Sequence, residues 1–373
     1  MRPSYSSART WPRAAALLAA LVGSLWLAAP VAAAEPLAER IDRHLRTKSS
    51  GPFSGVVLVS QFGQRLFHRA YGYADAELAV PNTPGTRFAI ASLTKPITAA
   101  AVLRQVEAGQ MRLDASICDY VADCPAAWRR VTIEHLLSHS SGLPDLFEEI
   151  SAASPEGFRA AIDEAVAAHG DRPLAHRPGS AYAYNNFGYF LLGYALEIAT
   201  GESWENAVRA AVLTPAEMAD TRFGEDRTIS PRPASGYRRI GPNALIAAPY
   251  RSPAAYAAGG LVATAEDLLR FDAALSNGKI VSRQTLRGMT TPRHGRYGLG
   301  WQIVTVLGKP QRNHTGQLPG FASHMARYDD GTLIVLLSNL DNEPAQETAC
   351  DLAALTFGLA PSPPGTPTCR RAR

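Results

Sequence analysis

Strand-forming patterns stand near both ends of this chain and are missing from the long stretch between them. Phe53–Ser60 and Arg65–Tyr71 are β-rich runs separated by Gln61-Phe62-Gly63-Gln64, the signature of a hairpin. Strand patterns resume only at Tyr297–Val306, Phe321–Tyr328 and Thr332–Ser338. From Ser92 to about Ala274 the periodic segments are helical: Ser92–Ala108, Ile133–Ser138, Pro155–Ala168, Asn186–Thr200, Ser203–Val212 and Ala265–Leu275. Gly109, Gly142, Gly170, Gly201 and Gly278 follow five of them as stops. Glu343–Phe357 reads as a closing helix. One sheet must therefore be assembled from the two chain ends, with a helical region inserted between them. The expected architecture is a mixed α/β (α+β) fold: a sheet-containing lobe of residues 35–90 plus 265–360, an all-helical lobe of residues 91–264, and a cleft where small molecules bind.

The two termini read differently from the body. Arg2, Arg9 and Arg13 precede an uncharged stretch whose apolar run before Pro30 is 16 residues, ending in Ala32-Ala33-Ala34. That is short for a spanning helix and fits a secretory signal over residues 1–34, the alternative being an uncleaved anchor. The formal charge is +4, but three arginines lie in this segment and three more (Arg370, Arg371 and Arg373) in a Pro-rich tail of residues 361–373. Without those six, 31 basic residues face 33 acidic ones, so a nucleic-acid partner loses its electrostatic footprint. Four cysteines suit an oxidising compartment, with Cys118–Cys124 and Cys350–Cys369 the favoured pairings.

Several familiar chemistries are missing. There is no G-x-S-x-G, no G-x-x-x-x-G-K-[ST] and no G-x-G-x-x-G, and no other pattern calls for a cofactor. His135 and His139 stand at i,i+4 on a predicted helix, yet Leu136 occupies the place of a zinc protease's Glu, so no metal site is assigned. S-x-x-K occurs twice, as Ser92-Leu-Thr-Lys95 and Ser276-Asn-Gly-Lys279. Asn277-Gly278 is a turn signal, so the second pair has no fixed geometry. Ser92 opens a long helical pattern, and residues three apart on a helix share a face, so the Lys95 amine reaches the Ser92 hydroxyl. A serine needs a neighbouring base before it is a useful nucleophile, and lysine serves where arginine cannot. Only four of the 37 basic residues are lysine, which sharpens the choice of Lys at 95.

Two further elements follow in order. Tyr184-Asn185-Asn186 is the only Y-x-N and begins a helix after the turn signal Pro178-Gly179. Tyr184 is placed to relay protons to the leaving group, and Asn186 to hold Lys95 and a substrate amide. His314-Thr315-Gly316 precedes the strand near Phe321 and begins or ends an edge strand. There the glycine lets a substrate lie against the backbone, the Thr315 hydroxyl binds a carboxylate and His314 supplies titratable positive charge.

These residues resemble the serine β-lactamase and penicillin-binding-protein superfamily, in particular its class C β-lactamase-like group of D-alanyl-D-alanine carboxypeptidases and esterases. The likeness runs from about Phe53 to Asn339 and includes Phe88–Lys95, His135–Pro144, Pro178–Gly193, Ala258-Gly-Gly-Leu261, Tyr297–Trp301 and Leu333–Asn339. It implies an antiparallel sheet flanked by helices with an inserted helical lobe. It makes Ser92 the acylated nucleophile, Lys95 its base, Tyr184 the second proton carrier and Asn186 the polar contact. His314-Thr315-Gly316 becomes the substrate-side strand, with the backbone N–H groups of Ser92 and Gln317 as the oxyanion hole. Two departures stand out: Asn185 replaces a small residue such as Ser or Ala, and His314 replaces the Lys usual in class C β-lactamases. The second makes carboxylate binding pH-dependent and weighs against efficient β-lactam hydrolysis.

The expected protein is an exported, cofactor-free serine hydrolase of cell-wall peptides, β-lactams or esters. A D-alanyl-D-alanine carboxypeptidase leads, with a β-lactamase or carboxylesterase next, and no stable membrane partner follows signal cleavage. A cell-wall-fragment binding module is the non-enzyme alternative, although a binder needs none of Ser92, Lys95 and Tyr184.

Overall fold

A computed structural model describes residues 35–48, 51–152, 157–223, 233–241, 244–248 and 252–361. The expected signal segment, the basic tail and Cys369 lie outside the described residues. The elements that build the site are, in chain order, α1 (Leu37–Arg46), β1 (Gly55–Gln61), β2 (Gln64–Tyr71), α2 (Thr94–Glu107), α3 (Asn186–Thr200), α4 (Ala265–Ser276), β3 (Gln302–Val306), β4 (Lys309–Leu318), β5 (Phe321–Tyr328), β6 (Thr332–Ser338) and α5 (Ala345–Thr356).

The strands form a six-stranded sheet in the order β3-β4-β5-β6-β1-β2, antiparallel throughout, so the two chain ends meet at the β6–β1 pair. Both faces of the sheet are covered, which explains why β1 and β6 read as nearly unbroken apolar runs. Successive side chains alternate between two cores. Val56, Leu58, Leu333, Val335 and Leu337 pack with α2 and α4, whereas Val57, Val59, Ile334 and Leu336 pack with α1 and α5. Helix α2 is buried from Thr94 through Leu103, so it has no polar face over its first ten residues.

A small three-stranded sheet sets the approach to α2. Phe88 and Ala89 pair with Ala263 and Val262 of the central strand Leu261–Ala263, whose other edge pairs Val262 with Arg222 and Leu261 with Phe223. The Ile90 N–H continues this ladder to the Leu261 carbonyl at 3.0 Å. The chain around Ser92 is thereby bound side by side with the Ala258-Gly259-Gly260 segment.

Several expectations are adjusted. Ser92 lies in a 3-10 turn, Ala91–Leu93, and the α-helix proper begins at Thr94, with Pro96 in its first turn where the missing N–H costs nothing. The segment expected as one helix over Ser203–Val212 divides into α-helix Trp204–Val208 and a wider turn at Arg209–Leu213. The strand expected from Tyr297 begins only at Gln302, and His314-Thr315-Gly316 falls inside a ten-residue strand rather than at its end. The helix carrying His135 ends at Leu137 and His139 has φ 54°, so the two imidazoles do not share a helix face. His135 instead closes a capping box with Thr132. Cys118 and Cys124 are joined, with Cα atoms 5.2 Å apart, and Cys350 is buried on α5.

Candidate active site

Ser92, Lys95, Tyr184 and Asn186 converge. The Lys95 Nζ stands 3.1 Å from Ser92 Oγ, 2.9 Å from Asn186 Oδ1 and 2.8 Å from the Ala258 carbonyl oxygen. Both carbonyl oxygens can only accept. A neutral amine has two N–H donors, so these two partners use both and the remaining direction, that of the lone pair, faces the Ser92 hydroxyl. Lys95 is fully buried, and its pKa falls from 10.5 to about 7, chiefly because burial penalises the ammonium, with the Asp145 carboxylate opposing the fall. A base poised near neutrality and aimed at a serine is what activation of that serine requires.

Tyr184 supplies the other hydroxyl, donating to Ser92 Oγ at 3.0 Å. Burial raises its pKa, so the phenol stays protonated and serves as a proton donor rather than a resting base. Lys95 Nζ also lies 4.9 Å from the centroid of the Tyr184 ring and 5.4 Å from that of Tyr189, contacts that soften the cost of a transient ammonium.

The start of α3 fixes the second pair. Asn185 is its N-cap: its Oδ1 accepts from the Gly188 N–H at 2.6 Å and its Nδ2 donates to the Leu143 carbonyl at 2.8 Å. Its side chain is therefore used in holding the helix start. Asp145, a residue not singled out from sequence, accepts from the Phe187 N–H at 3.0 Å and from Asn186 Nδ2 at 3.1 Å. The second bond sets the amide so that Asn186 Oδ1 faces Lys95. Behind Tyr184, the His139 ring lies tilted or edge-on at centroid distances of 4.3 to 5.1 Å from Tyr184, Tyr297 and Tyr189, and its Nδ1 accepts from the Asn185 N–H. Burial and the nearby Lys95 hold its pKa well below the ordinary value.

The substrate-side strand departs from expectation at two of its residues. His314 does not supply positive charge. Its Nδ1 donates to the Thr315 carbonyl at 2.9 Å and its Nε2 lies 2.9 Å from the Tyr297 hydroxyl, a pair of partners that a neutral ring can satisfy completely. Burial and Lys95 press its pKa down to about 3. Gly316 answers a different need from the one expected. A Cβ there would lie 2.4 Å from Ser323 Oγ, 2.5 Å from the Ile90 carbonyl oxygen and 2.9 Å from Ala91 Cβ, so glycine lets the strand press against the residues that precede Ser92. The Thr315 hydroxyl pairs with His324 Nδ1 at 2.9 Å, and burial lowers the His324 pKa to about 4.

Pairing with β3 ends at Asn313, so among the described residues the strand edge from His314 onward has no sheet neighbour on that side. Gln317 donates its side-chain amide to the Asp341 carbonyl oxygen at 2.9 Å. The buried Asp341 carboxylate is itself held by Arg238 and the Gly320 N–H. Ser92, Tyr184, Asn186, Thr315, Gly316 and Gln317 all line one cleft of about 500 Å³.

The family model described as Beta-lactamase matches residues 40–357. Penicillin-binding protein 4* of Bacillus subtilis (strain 168) is 28% identical over 344 residues, spanning 86% of this chain and 76% of that protein. A penicillin binding protein from Bacillus halodurans superposes with a TM-score of 0.71 at 26% identity, over 87% of this chain and 99% of that one. D-amino acid amidase from Ochrobactrum anthropi SV3 shares the fold, with a TM-score of 0.75 at 24% identity over 87% of this chain and 99% of that one.

Proposed function

The chain belongs to the beta-lactamase family and is a serine hydrolase; from that premise we propose that it is exported and cleaves peptide-like amides or esters through an acyl-enzyme at Ser92. The observation that carries this is the placement of Ser92 Oγ 3.1 Å from a lysine amine and 3.0 Å from a tyrosine hydroxyl, with both remaining amine donors committed to carbonyl oxygens. In acylation, Ser92 Oγ bonds to the substrate carbonyl carbon as its proton passes to Lys95 Nζ. The backbone N–H groups of Ser92 and Gln317 hold the oxyanion, donors that contribute about 3–4 kcal/mol each. Tyr184 gives its proton to the departing nitrogen or oxygen as the acyl bond to it breaks, and recovers one from the Lys95 ammonium. Water then repeats the sequence in deacylation and releases the acid.

Among the members of this class, a D-alanyl-D-alanine carboxypeptidase calls for a receptor for the substrate's terminal carboxylate. With His314 neutral and bonded on both nitrogens, the balance moves toward amides and esters whose leaving part carries no carboxylate. Incubation of the protein with a fluorescent penicillin and an activated ester tests the assignment. Ester cleavage without stable labelling is the expected result. Stable labelling at Ser92 indicates a penicillin-binding peptidase, rapid penicillin turnover a β-lactamase, and turnover that persists in Ser92→Ala refutes the acyl-enzyme. For export, N-terminal sequencing of the secreted protein is expected to begin at Glu35; recovery of the intact chain in the cytosol would contradict it.

A further inference from the structure

Among the described residues that line the cleft, charge is one-sided. The short helix Phe147–Ser151 contributes Phe147, Glu148 and Ser151 to its lining, and Glu148 is the only charged side chain among the described lining residues. The Asn186 contact of Asp145, just before this helix, places it on the Asn186 side of Ser92. Glu148 is exposed; its backbone carbonyl accepts from the Ser151 hydroxyl at 3.3 Å, and its carboxylate meets no cation among the described residues. Among the described lining residues there is no opposing positive charge. Lys95 lies buried beneath Ser92 with its donors committed, and His314 has both ring nitrogens bonded in the neutral form. Asp145, one layer behind Asn186, adds a second negative charge.

We propose that Glu148 determines specificity by receiving an ammonium group on the acyl part of the substrate. Preferred substrates are then amino-acid or peptide amides and esters with a free amine near the scissile carbonyl, and acyl groups bearing a carboxylate are disfavoured. This rests on Ser92 as the acylated residue. An ammonium entering the cleft meets a carboxylate with no competing partner among the described residues, whereas a substrate carboxylate meets Glu148 with no compensating cation among them; each contact is expected to change kcat/KM by roughly tenfold.

The test uses three alanine p-nitroanilides near pH 7, each in both D and L forms: the free amine, the N-acetyl and the N-succinyl derivative. The expected order of kcat/KM is amine above acetyl above succinyl. Glu148→Gln should lower the amine-to-acetyl ratio roughly tenfold, and Glu148→Lys should raise succinyl over amine. A ratio that does not move in Glu148→Gln, a wild-type preference for the acetyl or succinyl compound, or turnover of none of the three overturns the proposal. Failure of the underlying assignment reads differently: cleavage then persists in Ser92→Ala.

Discussion

Asp145→Asn probes the support behind Lys95 with one atom changed. Asp145 accepts two hydrogen bonds, from the Phe187 N–H at 3.0 Å and from Asn186 Nδ2 at 3.1 Å. In the amide variant the Phe187 N–H keeps the single remaining oxygen, and the new NH2 group confronts the NH2 group of Asn186. Asn186 relieves this by turning its amide over, which presents Nδ2 rather than Oδ1 to Lys95 Nζ. One of the two acceptors that aim the amine is then gone. A lost hydrogen bond of this kind costs about 1.5–3 kcal/mol, or about 10- to 100-fold in the acylation rate. The pH profile should move as well. The Asp145 carboxylate raises the Lys95 pKa, so its removal lowers that pKa further and carries the acid limb of kcat/KM below about 7. The plateau falls while the limb shifts to lower pH. Burst kinetics with an activated ester across about pH 5 to about pH 10 read both. A plateau within about twofold of the wild type, or a limb displaced upward, would refute the reasoning.

Three other substitutions test separate parts of the structure. Gly316→Ala drives a methyl group to 2.4 Å from Ser323 Oγ and 2.5 Å from the Ile90 carbonyl, so urea midpoint and acylation rate should fall together, with a stability loss of about 1–3 kcal/mol; an unchanged midpoint contradicts the packing. His314→Gln keeps a donor and an acceptor but cannot titrate, so the acid limb at about 7 should survive; its disappearance would make His314 the titrating group. Cys118→Ser opens a disulfide whose cysteines are 6 residues apart and should cost about 2 kcal/mol in denaturant unfolding, with burst amplitude retained; a lost burst would tie the loop to the site.

What sequence conveyed about this molecule was what local pattern can carry. The Ser92/Lys95 spacing survives the exchange of an α-turn for a 3-10 turn, because residues three apart meet in either. The apolar β-rich runs of β1 and β6 marked them as strands, and Tyr184-Asn185-Asn186 after Pro178-Gly179 marked the start of α3. Contacts made through space were not legible. Nothing in the run Ala255–Leu261 says that the Ala258 carbonyl meets Lys95, and nothing around Asp145 says that it orients Asn186. The charge of His314 was misread for the same reason: its neutrality comes from burial and from Tyr297, which is remote in the local pattern. Gly316 was recognised as necessary, but the atoms that require it belong to Ile90, Ala91 and Ser323.

The central claim is a covalent acyl-enzyme at Ser92, and intact-protein mass spectrometry after exposure to a panel of activated esters, amides and β-lactams tests it most directly. The account predicts an increment equal to the acyl group in the wild-type protein, located by peptide mapping to Ser92 and absent from folded Ser92→Ala. An adduct that persists in that variant, or turnover at the wild-type rate without Ser92, would contradict it.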